Sequence, residues 1–123
     1  MDILENKNVL LGVTGSIAAY KSAELVSILK KSKCNIKVCM TESSQAFITS
    51  NTLEALSANN VITSTNNTTS ISNFTHIEEA KWADILVIAP CTANFINKLA
   101  NGHGDDILSL ICLAFDKKIY IAP

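Results

Sequence analysis

The sequence predicts a doubly wound α/β domain: a Rossmann-like or flavodoxin-like parallel sheet with helices on both faces, three layers in all. Three observations predict it. Short apolar runs alternate along the chain with segments of helical period. The run Ile85-Leu86-Val87-Ile88 is continuous and apolar, the profile of a strand covered on both faces. The first apolar run closes on Gly12-Val13-Thr14-Gly15-Ser16, immediately before a helical segment. Strands that alternate with helices are joined by right-handed crossovers and so lie parallel. The 123 residues suffice for one core and one domain, residues 1–123.

Each element follows in order. Strands are expected near 8–12, 35–40, 84–89 and 118–121. Ile17 to Lys31 reads as a helix, with Ala18, Leu25 and Leu29 on one face beside small Ser22 and flanking Val26. Lys21, Glu24 and Lys31 mark its wetter side. Ser43 to Ile48 and Thr52 to Ser57 read as two short helices, Thr52 serving as an N-cap. Asn59 to Asn73, rich in Asn, Ser and Thr, has no hydrophobic period and reads as an exposed, mobile loop pinned at its ends by Ile62 and Ile71. A short helix from His76 to Ala83 precedes the third strand. Thr92 to Ala100 is the next helix, ended by Asn101-Gly102. Asp105 or Asp106 caps a last helix that runs to Ala114.

Composition narrows the function. With 48% hydrophobic and 17% charged residues the chain is globular, not disordered. A net charge of −1 gives no broad attraction to nucleic acid or to an anionic membrane. No run of about 18 apolar residues predicts a membrane span. The start, Met1-Asp2-Ile3-Leu4-Glu5-Asn6-Lys7, lacks a secretory pattern. Cys34, Cys39, Cys91 and Cys112 form no C-x-x-C pair, so neither a zinc site nor a thioredoxin-like motif is expected. A cytoplasmic protein with reduced thiols is the expectation, and the N-x-S/T triplets at Asn66, Asn67 and Asn73 then carry no glycan.

Chemistry concentrates at the strand ends. Gly12-Val13-Thr14-Gly15-Ser16-Ile17 joins a strand to a helix N-terminus, whose free N–H groups and partial positive charge suit a phosphate. Its spacing is neither G-x-G-x-x-G nor a Walker loop; the alternative is a tight turn that needs glycine. The third strand ends in Ala89-Pro90-Cys91-Thr92-Ala93-Asn94. In open α/β sheets ligands sit beyond the carboxyl ends of the strands, so Thr92 and Asn94 share a crevice with Gly15 and Ser16. Thr92 equally suits a helix cap. Thr41-Glu42-Ser43 reaches the same rim; Glu42 reads as a solvated glutamate, or as a ribose ligand in a nicotinamide protein. His76 reads as a cap, a surface residue or a catalytic group. His103, beside Asp105 and Asp106, reads as part of a capped loop in preference to a metal ligand. Trp82 reads as core and Cys91 as a buried, inert thiol.

Taken together, these segments resemble a known family. Gly12-Val13-Thr14-Gly15-Ser16-Ile17-Ala18-Ala19-Tyr20-Lys21 resembles the opening of the phosphopantothenoylcysteine decarboxylases, which are flavin-containing cysteine decarboxylases. Met40-Thr41-Glu42-Ser43-Ser44-Gln45-Ala46-Phe47-Ile48 resembles their next segment. His76-Ile77-Glu78 with Lys81-Trp82-Ala83-Asp84 resembles their catalytic histidine segment. Ala89-Pro90-Cys91-Thr92-Ala93-Asn94, Lys98-Leu99-Ala100-Asn101-Gly102 and Asp106-Ile107-Leu108-Ser109 resemble their second flavin-binding stretch. The likeness runs nearly end to end and is greatest to the flavin domain of the bifunctional coenzyme A biosynthesis enzyme.

The resemblance implies FMN, a homotrimer or a higher oligomer of trimers, and decarboxylation of 4′-phosphopantothenoylcysteine to 4′-phosphopantetheine. In the family the cysteinyl group is first oxidised to a thioaldehyde, which eases loss of carbon dioxide. It implies that Gly15, Ser16 and Ile17 hold the FMN phosphate with Thr41 and Ser43 nearby. Thr92, Ala93, Asn94 and Phe95 then lie along the flavin, and His76 handles protons, delivered across a subunit contact. The family's Pro-x-Met-Asn segment is expected to begin at Ile121-Ala122-Pro123, where the sequence stops. Its lid cysteine and its ligase domain are expected further on, so the domain reads as incomplete relative to the family. Cys91 stands where the family often has a small residue. The competing readings are a non-catalytic or split flavin-binding module, a flavin prenyltransferase-like relative, and a nicotinamide-binding Rossmann half.

Overall fold

In the computed structural model, which describes residues 3–63 and 75–123, four parallel strands form one sheet in the order β2-β1-β3-β4. The strands are β1 (Asn8–Val13), β2 (Asn35–Met40), β3 (Ile85–Ile88) and β4 (Ile119–Ile121). β1 lies between two partners: Val9 stands opposite Ile36 on one side and Ile85 on the other. β4 joins β3 with Val87 opposite Tyr120. The strands expected at 35–40 and 8–12 are present, β1 running one residue further. β3 is shorter than the expected 84–89, Asp84 and Ala89 each donating one backbone bond to β1, to Asn8 O and Gly12 O, beyond the strand's ends, and β4 begins one residue later than the expected 118–121.

The helices are α1 (Lys21–Lys31), α2 (Ser50–Ser57), α3 (Thr75–Trp82), α4 (Ala93–Ala100) and α5 (Ile107–Ala114). Strand alternation sorts the core into two layers. Val9, Leu11 and Val13 of β1, with Ile36, Val38 and Met40 of β2, pack against Val26 of α1 and Leu53 of α2. Leu10, Leu86 and Ile88 point the other way, onto Ala80 of α3, Phe95 of α4 and Leu108 and Ile111 of α5. Helices thus cover both faces, which is the doubly wound, three-layer arrangement expected. Gly12 has a packing reason: a Cβ there would stand 2.7 Å from a Leu108 methyl and 2.8 Å from Ile88 Cδ1.

Several boundaries differ from expectation. The segment from Ile17 to Lys31 is not one α-helix but a 3-10 turn, Ile17–Tyr20, followed by α1. Its buried face carries Ala19, Ser22 and Val26, while Ala18 is exposed. Ser22 is tied down by donating to Ala19 O at 2.6 Å, which suits a small residue against the sheet. Ser43–Ala46 is likewise a 3-10 turn. α2 begins at Ser50 with Thr49, not Thr52, as N-cap, Thr49 Oγ1 accepting from Thr52 N. Asn59 and Asn60 are exposed as expected, but residues 61–63 are not. Val61, Ile62 and Thr63 are buried, and Ile62 pairs beside Cys39, so this isoleucine does pin its end of the segment. Residues 64–74, including Ile71, lie outside the described residues. Trp82 is only partly buried; the Lys37 ammonium sits 4.6 Å from its ring centroid and 3.0 Å from Glu79.

Leu108 is fully buried in the layer that Gly12 admits, whereas Leu113 on the same helix is 54% exposed. Leu108→Ala is expected to lower unfolding free energy by about 2–5 kcal/mol, and Leu113→Ala by no more than about 0.5 kcal/mol. Urea denaturation of the two variants checks this.

Candidate functional site

The sheet order makes β1 a topological switch point, since the chain leaves it for β2 on one side and reaches β3 on the other. A crevice must open above such a point, at the carboxyl ends of the strands. A cleft of about 670 Å³ lies there, lined by Thr14 after β1, Thr41, Glu42 and Ser43 after β2, and Thr92, Asn94, Phe95 and Lys98 after β3, with Asp105 and Asp106 before α5. That volume falls within the roughly 300–1,000 Å³ of small-molecule sites.

The turn after β1 is held close to the turn after β2. Thr41 N–H donates to Val13 O at 3.0 Å. Gly15 lies so near Ser43 that a Cβ on it would stand 2.9 Å from the Ser43 carbonyl carbon and overlap the Ser43 hydroxyl. Glycine is needed here for close approach, not for φ, since Gly15 is not among the positive-φ positions. Ser16 caps the following 3-10 turn, its Oγ accepting from Ala18 N at 3.2 Å. On the other wall Thr92 caps α4, Oγ1 accepting from Phe95 N at 3.1 Å. The first N–H groups of a helix have no partner within it; here these are the N–H groups of Ala93 and Asn94, of which Asn94 lines the cleft.

Charge is concentrated at one end. Lys98 reaches Asp105 at 3.1 Å and Asp106 at 3.0 Å. Hydrogen bonding to Asp106 leads the effects that raise the Lys98 pKa. Asp106 is doubly engaged: it caps α5 by accepting from Ser109 N at 2.6 Å, and its own N–H donates to Ser109 Oγ at 3.1 Å. Of the two aspartates expected as caps, Asp106 is therefore the one.

The sequence-derived residues are distributed as follows. Thr41, Ser43, Thr92, Asn94 and Phe95 line the cleft; Phe95 does so from a largely buried position. Gly15 and Ser16 are not among the lining residues; Gly15 packs against Ser43, which is one, and the Ile17 side chain is 78% exposed. Ala93 is exposed at the start of α4. Glu42 is exposed and makes no side-chain cap, but it lines the cleft. His76 is half-buried at the start of α3 and is not brought together with the cleft residues of its own chain. His103 is exposed, its N–H donating to Lys98 O at 2.9 Å. Cys91 is buried and outside the cleft lining, and burial pushes its thiol pKa up. Thr14, Lys98, Asp105 and Asp106 are the cleft residues that sequence reasoning did not place. Thr14 sits inside the glycine segment, and the Lys98–Asp106 pair spans a helix and a loop, a proximity with no sequence period.

A family model described as "Flavoprotein" matches residues 2–123. The chain belongs to the flavoprotein family. It is 46% identical over 121 residues to the coenzyme A biosynthesis bifunctional protein CoaBC of Bacillus subtilis, covering 98% of this chain and 30% of that relative. The chain therefore spans about a third of the length of the curated relatives it matches. Among solved structures it resembles the FMN-dependent cysteine decarboxylase SpaF, with TM-score 0.86 and 29% identity over 96% of this chain and 68% of that one. It also resembles a PPC decarboxylase variant complexed with pantothenoylaminoethenethiol, with TM-score 0.77 and 30% identity over 95% of this chain and 66% of that one.

The buried thiols give a test of this packing. Desolvation, with smaller effects from Asp106 and Cys91, pushes Cys112 up to about 12, and Cys39 is raised for the same leading reason. At pH 8 a thiol of that pKa is about one part in ten thousand thiolate. Iodoacetamide at pH 8 is expected to leave Cys39 and Cys112 unmodified in the native protein and to label both in urea, read by peptide mass spectrometry.

Proposed function

We propose that this chain is the FMN-binding, decarboxylating unit for 4′-phosphopantothenoylcysteine in coenzyme A biosynthesis, working in a trimer or an assembly of trimers. The observation that carries the reading is the cleft at the β1 switch point in a chain 46% identical to CoaBC over 98% of its length. The names of the structural relatives, which include FMN-dependent cysteine decarboxylases and PPC decarboxylase, support it.

The residues fit FMN. The Gly15–Ser43 approach makes a cradle that any Cβ would fill, bordered by Ser16 and Ile17 at a helical turn, where N–H groups suit an anion. Ser43, whose hydroxyl lies 3.3 Å from that of Thr41, supplies a further polar group, while the Thr41 hydroxyl donates to Val13 O. Thr92, Ala93, Asn94 and Phe95 offer a polar edge, free N–H groups and an aromatic face for a planar ring. A bound FMN supplies two-electron redox chemistry at the cysteinyl group. The chain's own residues bind and orient. The phosphate belongs at the Gly15 side, because Asp105 and Asp106 outnumber Lys98 at the other and disfavour an anion there.

His76 is the proton-handling group in this reading. An imidazole titrates near neutral pH and can take and return a proton. α3 ends against the start of β1, where Asn8 Nδ2 donates to Trp82 O at 3.0 Å. The helix therefore begins toward the carboxyl ends of the strands, on the cleft side of the sheet. His76 is outside the cleft lining of its own chain; in this reading it serves the cleft of a neighbouring copy.

Two measurements test the reading. Ser16→Asp brings a like charge to the phosphate position, and FMN titration is expected to show binding abolished; unchanged affinity overturns the placement. His76→Asn is expected to keep FMN and to lose about 10²- to 10⁴-fold in decarboxylation of phosphopantothenoylcysteine, measured as carbon dioxide release by the full protein. Turnover near normal with flavin bound leaves His76 only a structural place.

A further inference from the structure

Thr14 is buried, 2% exposed, at the carboxyl end of β1, yet it borders the cleft. Its hydroxyl donates to Pro90 O at 2.6 Å and accepts from Thr92 N–H at 3.0 Å. Its own N–H donates to Pro90 O at 3.2 Å. Three bonds from one residue thus hold the loop between β3 and α4. The next wall is tied to the preceding residue, Thr41 N–H donating to Val13 O. The last residues of β1 therefore stand between the two walls and bond to both.

A hydroxyl has one proton and two lone pairs. Here the proton is committed to Pro90 and one lone pair to Thr92, so Thr14 has no proton left for a ligand. Its bonds all go to the Pro90–Thr92 loop. The Thr92 hydroxyl caps α4 by accepting from Phe95 N, so fixing the Thr92 backbone also fixes where the first N–H groups of α4 point.

We propose that Thr14 is a positioning residue for the flavin site: its hydroxyl holds the Pro90–Thr92 loop, and with it the N-terminus of α4, at the distance from the Gly15 turn that FMN needs. The proposal rests on the flavin reading above. Valine at this position keeps the branched shape but leaves Thr92 N–H without its acceptor, so the loop is free to move off β1. Serine keeps the hydroxyl.

The test compares the native chain with Thr14→Val and Thr14→Ser by two readouts. The first is amide hydrogen exchange at Thr92 without FMN, set against amides in the middle of β1 and β3. The second is FMN affinity by flavin fluorescence titration. Losing a buried acceptor in Thr14→Val is expected to speed Thr92 exchange and to weaken FMN, each by about tenfold or more. Thr14→Ser is expected to stay within about threefold of native in both. Overturning results are Thr92 exchange unchanged in Thr14→Val, exchange raised equally across β1 and β3 with affinity intact, or Thr14→Ser matching Thr14→Val. If the native chain takes no FMN, the flavin reading fails, and with it the proposed purpose. The Thr92 exchange arm still decides whether the hydroxyl holds the loop.

Discussion

The structure depends on satisfying both edges of β1. A strand in the middle of a parallel sheet has N–H and C=O groups aimed at two neighbours, and leaving either row unpaired in the core is costly. β2 takes one edge over all six positions of β1, and β3 takes the other from Val9 to Gly12. Because these partners lie on opposite sides, the connections after β1 and before β3 run in opposite directions. Helices then fall on both faces, the apolar residues of β1 are divided between two layers, and the loops at its carboxyl end part to leave a cleft. The site is a consequence of that pairing and not an addition to it.

Two glycines make the arrangement possible, for different neighbours. Gly12 lets α5 lie against the sheet through Leu108, and Gly15 lets the turn after β2 close on the turn after β1. One sets the depth of packing beneath the cleft and the other the narrowness of its rim. The chemistry of the rim is mostly neutral hydroxyls and helix-end N–H groups, with formal charge gathered on Glu42 and on Lys98 with its two aspartates. Such a lining orients a ligand by directed hydrogen bonds and leaves net attraction to a few N–H groups.

Most of the fold was legible in the sequence because β1, β2 and β3 are largely buried and their apolar residues mark them. Ile85-Leu86-Val87-Ile88 needs no partner information to be recognised, and the Ile36, Val38, Met40 alternation marks its own face. The errors came where tertiary contacts overrode local pattern. Ile17–Tyr20 winds more tightly than the helix it leads into, and Ala19, not Ala18, meets the core. Val61-Ile62-Thr63 looked like the start of a polar loop, but Ile62 is drawn in beside Cys39 by a backbone pair 23 positions away in sequence. In the site, glycine and hydroxyl residues at strand ends could be read from position alone. Thr14 could not be assigned its task, since its partners Pro90 and Thr92 are 76 and 78 residues distant. The Lys98 ion pairs were hidden although they are local, because they join α4 to a loop whose path has no sequence period, and His76 stands apart from the cleft residues of its own chain.

Trp82 is the sole tryptophan of the chain. It sits at the amino end of the sheet, with Lys37 over its ring and its carbonyl bonded to Asn8, while the cleft lies at the opposite end. Ultraviolet emission from this protein is therefore a report on one corner, the docking of α3 against β1 and β2. A change at the cleft that leaves the emission maximum in place has left that corner folded, and a shift marks its loosening. Occupancy of the cleft and integrity of the scaffold can thus be followed by separate optical signals in a single cuvette.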